Sequence, residues 1–492
     1  MVAGDLPMAG AGWGPPPGSP GNEDADRRGP GRLRARARLP PCLPSGPSMS
    51  PVGLPSPPLL EKIRGAFRSK NSGKTFPDPT GGSPTAPSPA GVAPLSQSTP
   101  LRILALEPYL GGSHQAFLQG WSERSRHTWR ILGLPARKWK WRMRNAALTF
   151  ADEMRSWPRE ERDFQVLFCS DMLDLATFRG LAPDEIAGLP AVVYFHENQL
   201  TYPKRREDER DFHFGIINMT SCLSADAVWF NSEFHRRSFV EALERILARM
   251  PDHRPRGAGR RILEKSRIEP PGISVPPPPE DRAPAPFTIL WSARWEHDKR
   301  PELFFDALDL LDRRGISFRL NVIGERFREA PEVFARARER FAGSIHRFGY
   351  QESTEEHHAA LAEADVVVST ADHEFFGISV LEAVAAGARP LVPRRLSYPE
   401  VLAGPSGEAP AAFFHDETPR GLADALERLA AEHGREPGLR NDRRRVERYF
   451  WEVRAPAMDE ALLALSSHRA GPKKQLMEDR AGPQDGHEET HP

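Results

Sequence analysis

Residues Val366 to Arg394 read VVVSTADHEFFGISVLEAVAAGARPLVPR. The β-branched run Val366–Val368 suits a strand buried on both faces, and a second short apolar run follows at Pro390–Val392. Between them Ile378, Leu381, Val384 and Ala385 recur with helical spacing across Phe376–Ala388, and Gly387 stands where such a helix stops. The stretch is a strand–loop–helix–strand unit, the building block of a doubly wound α/β domain. In such sheets ligands bind beyond the carboxyl ends of the strands, beside helix N-termini that offer free N–H groups and a partial positive charge. The loop carries Asp372, His373 and Glu374, and the helix carries Glu382. Glu374 can point into that crevice. Glu382, about a turn and a half into the helix, can accept from two ribose hydroxyls. Taken alone, the two glutamates read more simply as solvent-facing charges.

Working upstream, Phe287–Ala293 is a strand that delivers RWEHDKRP, with Arg294 and Lys299 five residues apart on the following loop. Two cations at a strand end suit a diphosphate, although ordinary surface charge explains them as well. Phe318–Ile323 and Ile345–Tyr350 are further strands, the second ending at Gly349 and Tyr350. Ser353 starts a helix to Ala364, Ala411–His415 is a last strand, and Arg443–Ser466 is helical. The proline-rich PPGISVPPPPEDRAPAP, residues 270–286, is stiff and extended, and marks a boundary between domains.

Before that boundary lies a second α/β pattern. LRILALEP from Leu101 is its first strand, followed by Gly111-Gly112-Ser113-His114 and an amphipathic helix from Gln115. Glycines there let the backbone approach a ligand. Strands follow at Thr128–Leu134, Phe164–Ser170, Ala191–Phe195 and Ala227–Asn231, with helices over 211–224 and from Ser232 to about Met250. The Ala191 strand delivers His196-Glu197-Asn198-Gln199, and a histidine at a strand end is either a site residue or a structural hydrogen-bonder. LPARKWKWRMR interleaves Arg137, Lys138, Lys140, Arg142 and Arg144 with Trp139 and Trp141. Cations and indoles together suit unpaired RNA. A helix with solvated cations and inward tryptophans fits equally. Arg254, Arg256, Arg260, Arg261 and Lys265 make a second basic loop.

The chain of 492 residues has room for two or three domains, and its 67 basic and 67 acidic residues leave net charge silent about partners. Three cysteines, Cys42, Cys169 and Cys222, exclude a disulfide scaffold and fit a reducing cytosol. No apolar run is long enough to span a bilayer, and no secretory h-region is present. Residues 1–99 hold most of 21 of the 50 prolines that fall before position 101, and are expected to be disordered. Arg27 to Arg38 is a basic run within them, and Asp24-Ala25-Asp26 is no credible metal site there. The tail from Ser467 is also expected to be disordered.

Glu374 and Glu382 form E-x7-E, and Arg294 and Lys299 form R-x4-K, both of which resemble motifs of the retaining glycosyltransferases of family 4. GGSH, LPARKWKWRMR, YFHENQLTYP, FNSEFHRRSF, PDHRP, RWEHDKRPE and HEFFGISVLEAVAAG occur in that order. Together they look like the tRNA-queuosine α-mannosyltransferases, a branch of that family, over roughly residues 101–465.

The resemblance implies the GT-B fold: two Rossmann-like domains at 101–275 and 286–445 facing a cleft, a terminal helix at 446–466 crossing back, and tails at 1–99 and 467–492. It implies transfer of mannose from GDP-mannose to the cyclopentenediol of queuosine in tRNA, in the cytoplasm, with no metal, no other cofactor and no stable membrane association. By the same resemblance Glu374, His196, Arg294 and Lys299 are catalytic. Gly111, Gly112, Gly349, Tyr350, Phe376, Gly377 and Glu382 join Arg294, Lys299 and Glu374 in holding the donor. The Arg137–Arg144 segment holds tRNA. A lipid-linked or soluble glycan acceptor is the alternative for a family 4 enzyme. A nucleotide-sugar epimerase, and a non-catalytic RNA-binding protein on a decayed GT-B scaffold, are the alternatives outside it.

Overall fold

The computed structural model describes residues 99–203, 212–277, 285–326, 330–433 and 442–478. The expected disordered segment at 1–99, with its arginine run and Asp24-Ala25-Asp26, falls almost wholly outside these residues, as do 479–492 and the middle of the proline-rich connection.

Two parallel sheets of six strands carry the described chain. The first has the order β2-β1-β3-β4-β5-β6, from β1 (Arg102–Leu110), β2 (Thr128–Pro135), β3 (Val166–Ser170), β4 (Ala191–Phe195), β5 (Ala227–Phe230) and β6 (Ser266–Ile268). The second has the order β12-β11-β10-β7-β8-β9, from β7 (Thr288–Ser292), β8 (Arg319–Ile323), β9 (Ile345–Gly349), β10 (Val366–Val368), β11 (Arg389–Pro393) and β12 (Phe414–His415). Every residue of β3, β4, β7 and β10 is buried, which is why these strands read as unbroken apolar runs. The order turns back beside β1 in one sheet and beside β7 in the other. Crevices therefore open at the carboxyl ends of those strands. The helices that matter for the site are α1 (Gly112–Ser122), α2 (Trp139–Ser156), α3 (Phe212–Ser224), α4 (Glu233–Arg249), α5 (Pro301–Arg313), α6 (Thr354–Ala362) and α7 (Ile378–Ala385). No helix among the described residues is long and apolar enough to cross a membrane.

Two expectations are corrected, and one strand was not foreseen. Strand β6 has only three residues and no apolar run, so nothing in the sequence announced it. The expected strand Ala411–His415 is a 3-10 turn over Ala411–Phe413 and two residues of strand. The expected helix Arg443–Ser466 is broken: a short helix Arg443–Val446 and a 3-10 turn Glu447–Tyr449 precede α8, which runs from Trp451 to Glu478. The break is where the chain passes back to the first domain. Phe450 is extended and bridges Ile273, whose N–H donates to the Tyr449 carbonyl at 2.8 Å.

Helix α8 is fixed to the first domain at two points. The Trp451 indole lies against Gly120 and Gly272, where an added Cβ would sit 2.5 and 2.0 Å from the ring, so both positions need glycine. Asp459 is buried and accepts from Trp121 Nε1, Ser125 Oγ and the Arg126 N–H, each at 2.8 Å. Asp459→Ala would leave three donors without their acceptor. It is expected to cost about 3 kcal/mol of stability, read as a lower urea midpoint at unchanged slope; an unmoved midpoint would show the clamp to be dispensable.

Candidate functional site

At the carboxyl end of β7 a 3-10 turn over His297–Lys299 folds Lys299 back under the sheet edge before Pro301 opens α5. Lys299 is only 7% exposed. Its ammonium donates to the His373 carbonyl at 2.8 Å and lies 3.3 Å from both Glu374 Oε2 and Asp298 Oδ2. Burial pulls its pKa down, but the attraction of Glu374 and Asp298 outweighs that and leaves it raised. The partner shifts the other way: burial pushes the Glu374 carboxyl up, and Lys299 brings it below the usual range. Both groups are therefore charged at neutral pH.

The other Glu374 oxygen, Oε1, accepts from the N–H groups of Phe375 and Gly377 at 3.1 Å and more loosely from Phe376 at 3.4 Å. The carboxylate thus closes its own loop at the head of α7 and takes donors that a phosphate would use. A small recess of about 10 Å³ lies there, lined by Ser292, Lys299, Thr370, Glu374, Ser379 and Tyr398 among others. That is room for about one water molecule.

Of the other residues expected to hold the donor, Glu382 of α7 lies 3.4 Å from His357 of α6. Gly349 ends β9 at φ 110°, and Tyr350 beside it is 63% exposed. Another residue expected to hold the donor is Phe376. Its ring is buried edge-on against Tyr449, so only its main chain can meet a ligand. Arg294 reaches across the cleft, donating to the Tyr202 hydroxyl at 3.1 Å. Burial lowers its pKa, and Tyr202, Glu296 and Glu197 together raise it further.

On the first-domain side Gly111 and Gly112 lead from β1 into α1, and His196 leaves the end of β4. The His196 N–H donates to Asp171 Oδ1 at 3.0 Å and its carbonyl accepts from Asn231 at 3.1 Å. Its ring stacks on that of His114 with centroids 4.0 Å apart. His114 in turn lies 3.1 Å from buried Glu107. Burial disfavours the His114 charge, yet Glu107 raises its pKa to about 9. This pair contributes stability that is complete below about 6.5 and is lost as the pH rises through about 9. His196 is the opposite case, held well below its ordinary value by burial and by the charge of His114.

Glu107, His114 and His196 form a group whose ligand atoms lie within 4.8 Å of one another, a possible metal set among the described residues. The ring planes of the two histidines are only 29° apart and stacked, so their in-plane lone pairs run side by side instead of converging on one ion. The arrangement suits a charge pair better than a coordination sphere.

Residues missed by sequence reasoning join the two walls. Ser232, expected only as a helix cap, does accept the His235 N–H at 3.1 Å. Its hydroxyl also donates to the Phe375 carbonyl across the cleft at 2.6 Å. The His235 ring stacks on Phe375 at 3.8 Å. Glu400 of the second domain takes the N–H groups of Glu233 and Phe234 at the head of α4, at 2.8 and 3.1 Å. The signal lay in FNSEFHRRSF, but nothing there says that its partner is 143 residues away.

The basic segment resolves into two faces of α2. Trp139 is half-buried, 5.0 Å from the Phe214 ring, whereas Trp141 is 59% exposed. Arg137, Lys138, Lys140 and Arg144 are exposed around it; Arg142 donates to the Pro135 carbonyl at 3.1 Å, and Arg144 lies over the Phe214 ring. In the second basic stretch Lys265 is a structural residue: its ammonium donates to the Leu223 and Ala225 carbonyls at 3.0 and 2.6 Å.

Residues 102–273 match the family model described as tRNA-queuosine alpha-mannosyltransferase N-terminal, and residues 286–432 match that described as glycosyl transferases group 1. A Drosophila melanogaster protein named tRNA-queuosine alpha-mannosyltransferase is 39% identical over 311 residues, covering 61% of this chain and 81% of that one. A Mycobacterium tuberculosis protein named GDP-mannose-dependent alpha-(1-6)-phosphatidylinositol dimannoside mannosyltransferase is 28% identical over 190 residues, covering 38% of this chain and 47% of that one. Two solved structures share the fold across their full length and 75% of this chain. They are the catalytic domain of Arabidopsis thaliana starch synthase IV (TM-score 0.58, 11% identity) and Thermosynechococcus elongatus sucrose-phosphate synthase (TM-score 0.55, 14% identity). The two-domain architecture is thus GT-B.

The head of α7 also sets a local test. Gly377 sits at φ 88°, and an added Cβ would meet the Tyr398 ring at 2.9 Å. Gly377→Ala is expected to lower stability by about 1–2 kcal/mol and to weaken binding of a nucleoside diphosphate. Chemical unfolding and a binding titration read the two effects. Unchanged values in both would mean that the loop tolerates a different shape.

Proposed function

We propose, from the premise that the chain belongs to the tRNA-queuosine α-mannosyltransferase family, that it moves mannose from GDP-mannose to the cyclopentenediol of queuosine in tRNA, with retention at the anomeric carbon and without a metal. The observation that carries the chemical part is the buried Lys299–Glu374 pair at the joined ends of β7 and β10, with Arg294 beside it. The bond between the anomeric carbon and the diphosphate breaks, and two cations stabilise the charge left on the phosphate. The new bond forms to an acceptor hydroxyl, whose proton passes to an oxygen of the departing diphosphate. Entry of the donor exchanges the Phe375–Gly377 N–H groups from Glu374 to phosphate and frees that carboxylate for the sugar hydroxyls. Glu382 takes the ribose, main-chain groups at Gly349 and Tyr350 take the base, and His196 meets the sugar. The M. tuberculosis relative named as GDP-mannose-dependent supports the choice of donor. Trp141, ringed by exposed Arg137, Lys138, Lys140 and Arg144, offers a stacking surface and phosphate contacts for a single-stranded anticodon loop. Nucleotide sugar and tRNA are the partners, and the cytoplasm is the place of reaction.

Incubation with GDP-mannose and queuosine-containing tRNA, digestion to nucleosides and mass measurement should show one hexose added to queuosine. Transfer to a lipid or a free sugar, with tRNA untouched, would refute the acceptor. Full turnover is expected in EDTA, and strict dependence on added Mg²⁺ would refute the metal-free chemistry. Loss of one charge contact of this kind costs about 2.7–4 kcal/mol of barrier, so Lys299→Ala should slow single-turnover transfer roughly a hundredfold or more; a rate within a factor of two of the parent would remove Lys299 from the mechanism. Lys140→Ala should flatten the dependence of tRNA affinity on salt. Trp141→Ala should weaken binding at an unchanged slope, and the reverse pattern would place the tRNA elsewhere.

A further inference from the structure

His196 is held rigidly for a residue with an idle ring nitrogen. Asp171 and Asn231 fix its backbone on both sides. Phe117 and Tyr194 stand edge-on to the ring at 5.1 and 4.7 Å, and His114 covers one face at 4.0 Å. Its Nε2 is buried and bonds to none of the described residues. Behind it, Glu107 is fully enclosed and oriented: Oε1 accepts from Ser170 Oγ and from the Tyr109 N–H, both at 2.9 Å. That leaves Oε2 turned to His114 Nδ1 at 3.1 Å, an ion-pair contact whose angle falls short of an aligned hydrogen bond.

We propose that Glu107 and His114 are a positioning pair for His196: their ion pair keeps one positive charge stacked on the His196 ring, so that this ring stays uncharged and its Nε2 is kept for a hydroxyl of the donor sugar. The inference rests on the donor role of His196 given above. An enclosed carboxylate next to an imidazole favours the charged imidazole. That imidazolium, stacked at van der Waals distance, then opposes a second proton on its neighbour. The other groups facing His196 do not reverse this. From α4, His235 is held neutral by burial. Beyond β3, Asp171 has its pKa pushed well up, chiefly by burial, which weakens it as a competing anion. Glu197 follows in the chain and favours the charge on His114. Among the described residues no cation other than His114 stacks on the ring.

The test uses the full chain in two variants. Glu107→Gln keeps the shape and removes the charge that holds the His114 proton. His114→Phe keeps the stack and removes the positive charge. NMR of ¹⁵N-histidine-labelled protein should find one imidazole, absent in His114→Phe, that stays doubly protonated to about pH 9 and in Glu107→Gln titrates below 7. The pH dependence of kcat/KM for GDP-mannose should then separate positioning from packing. In both variants the acid limb, set by protonation of His196, should move up by about one pH unit, with activity recovered toward alkaline pH. Equal loss at every pH in both variants, or a His114 that titrates near 6.5 in the parent, overturns the proposal. The titrations need no acceptor, so a failure of the tRNA reading would leave them decisive, with donor hydrolysis in place of transfer.

Discussion

A lone charge cannot be left in a protein interior, and the second domain is arranged around that constraint. Lys299 is almost wholly withdrawn from water and Glu374 largely so; the ammonium is held by Glu374 and Asp298, each at 3.3 Å, and the carboxylate by Lys299 and the N–H groups of Phe375 and Gly377. The pair fixes two loops at once, one after β7 and one after β10. The carboxylate also gathers the N–H groups that begin α7, and so sets the path of residues 374–377. Phe375, carried outward by that path, is the residue on which His235 stacks and whose carbonyl takes the Ser232 hydroxyl. One buried ion pair therefore shapes both the recess and the surface that the first domain meets. At the rim Arg395 joins Asp372 and Glu417 at 2.9 and 2.8 Å, but these groups are open to solvent and contribute far less.

Histidine shows why residue identity alone does not give chemistry. His114, His196, His235 and His373 all stand in or beside the cleft, and burial opposes the charge on each. Only His114 has an enclosed carboxylate at ion-pair distance, and only its pKa rises. His373, adjacent to Glu374, falls to about 4, because burial and the Lys299 charge outweigh that carboxylate. Proximity in sequence to an acid is thus a poor guide. The partner that decides the charge of His114 lies on the preceding strand, and the one that decides His373 comes from another loop.

The legible part of the structure was the part written in local chemistry. Unbroken apolar runs gave the buried strands, and Ser232 and Ser353 stood as caps three residues before the N–H groups they accept. Strand-end positions placed Arg294, Lys299, Glu374 and His196 at the carboxyl edges of the sheets. What could not be read was decided by partners distant in sequence. Trp139 and Trp141 are indistinguishable by composition, and packing against Met143, Met172 and Phe214 draws the first inward. The burial of Phe376 shows only once Tyr449 covers its ring. Strand β6 exists because β5 offers it an edge to pair with. The break at Phe450 exists because the chain must cross beside Ile273.

That crossing bears on how the cleft behaves. The two passages between domains, through Ile273 and through Phe450, run parallel and are bonded to each other by the Ile273 N–H to Tyr449 and the Trp451 N–H to Ile273. Trp451 anchors them against Gly120 and Gly272, with Asp459 locking the helix beyond. The ties across the mouth of the cleft are of another kind. Among the described residues they include the Ser232–Phe375 and Arg294–Tyr202 hydrogen bonds, the two N–H groups held by Glu400, and the ring contacts His235–Phe375 and Tyr202–His373. Each such bond is worth about 0.5–1.5 kcal/mol net, because water replaces it when it opens. The crossing is buried, apolar and shape-matched, and has no such replacement. Rotation about the paired passages is therefore the displacement that sacrifices least. It parts Arg294 and the Glu374 loop from Tyr202 and Ser232 while each sheet stays whole.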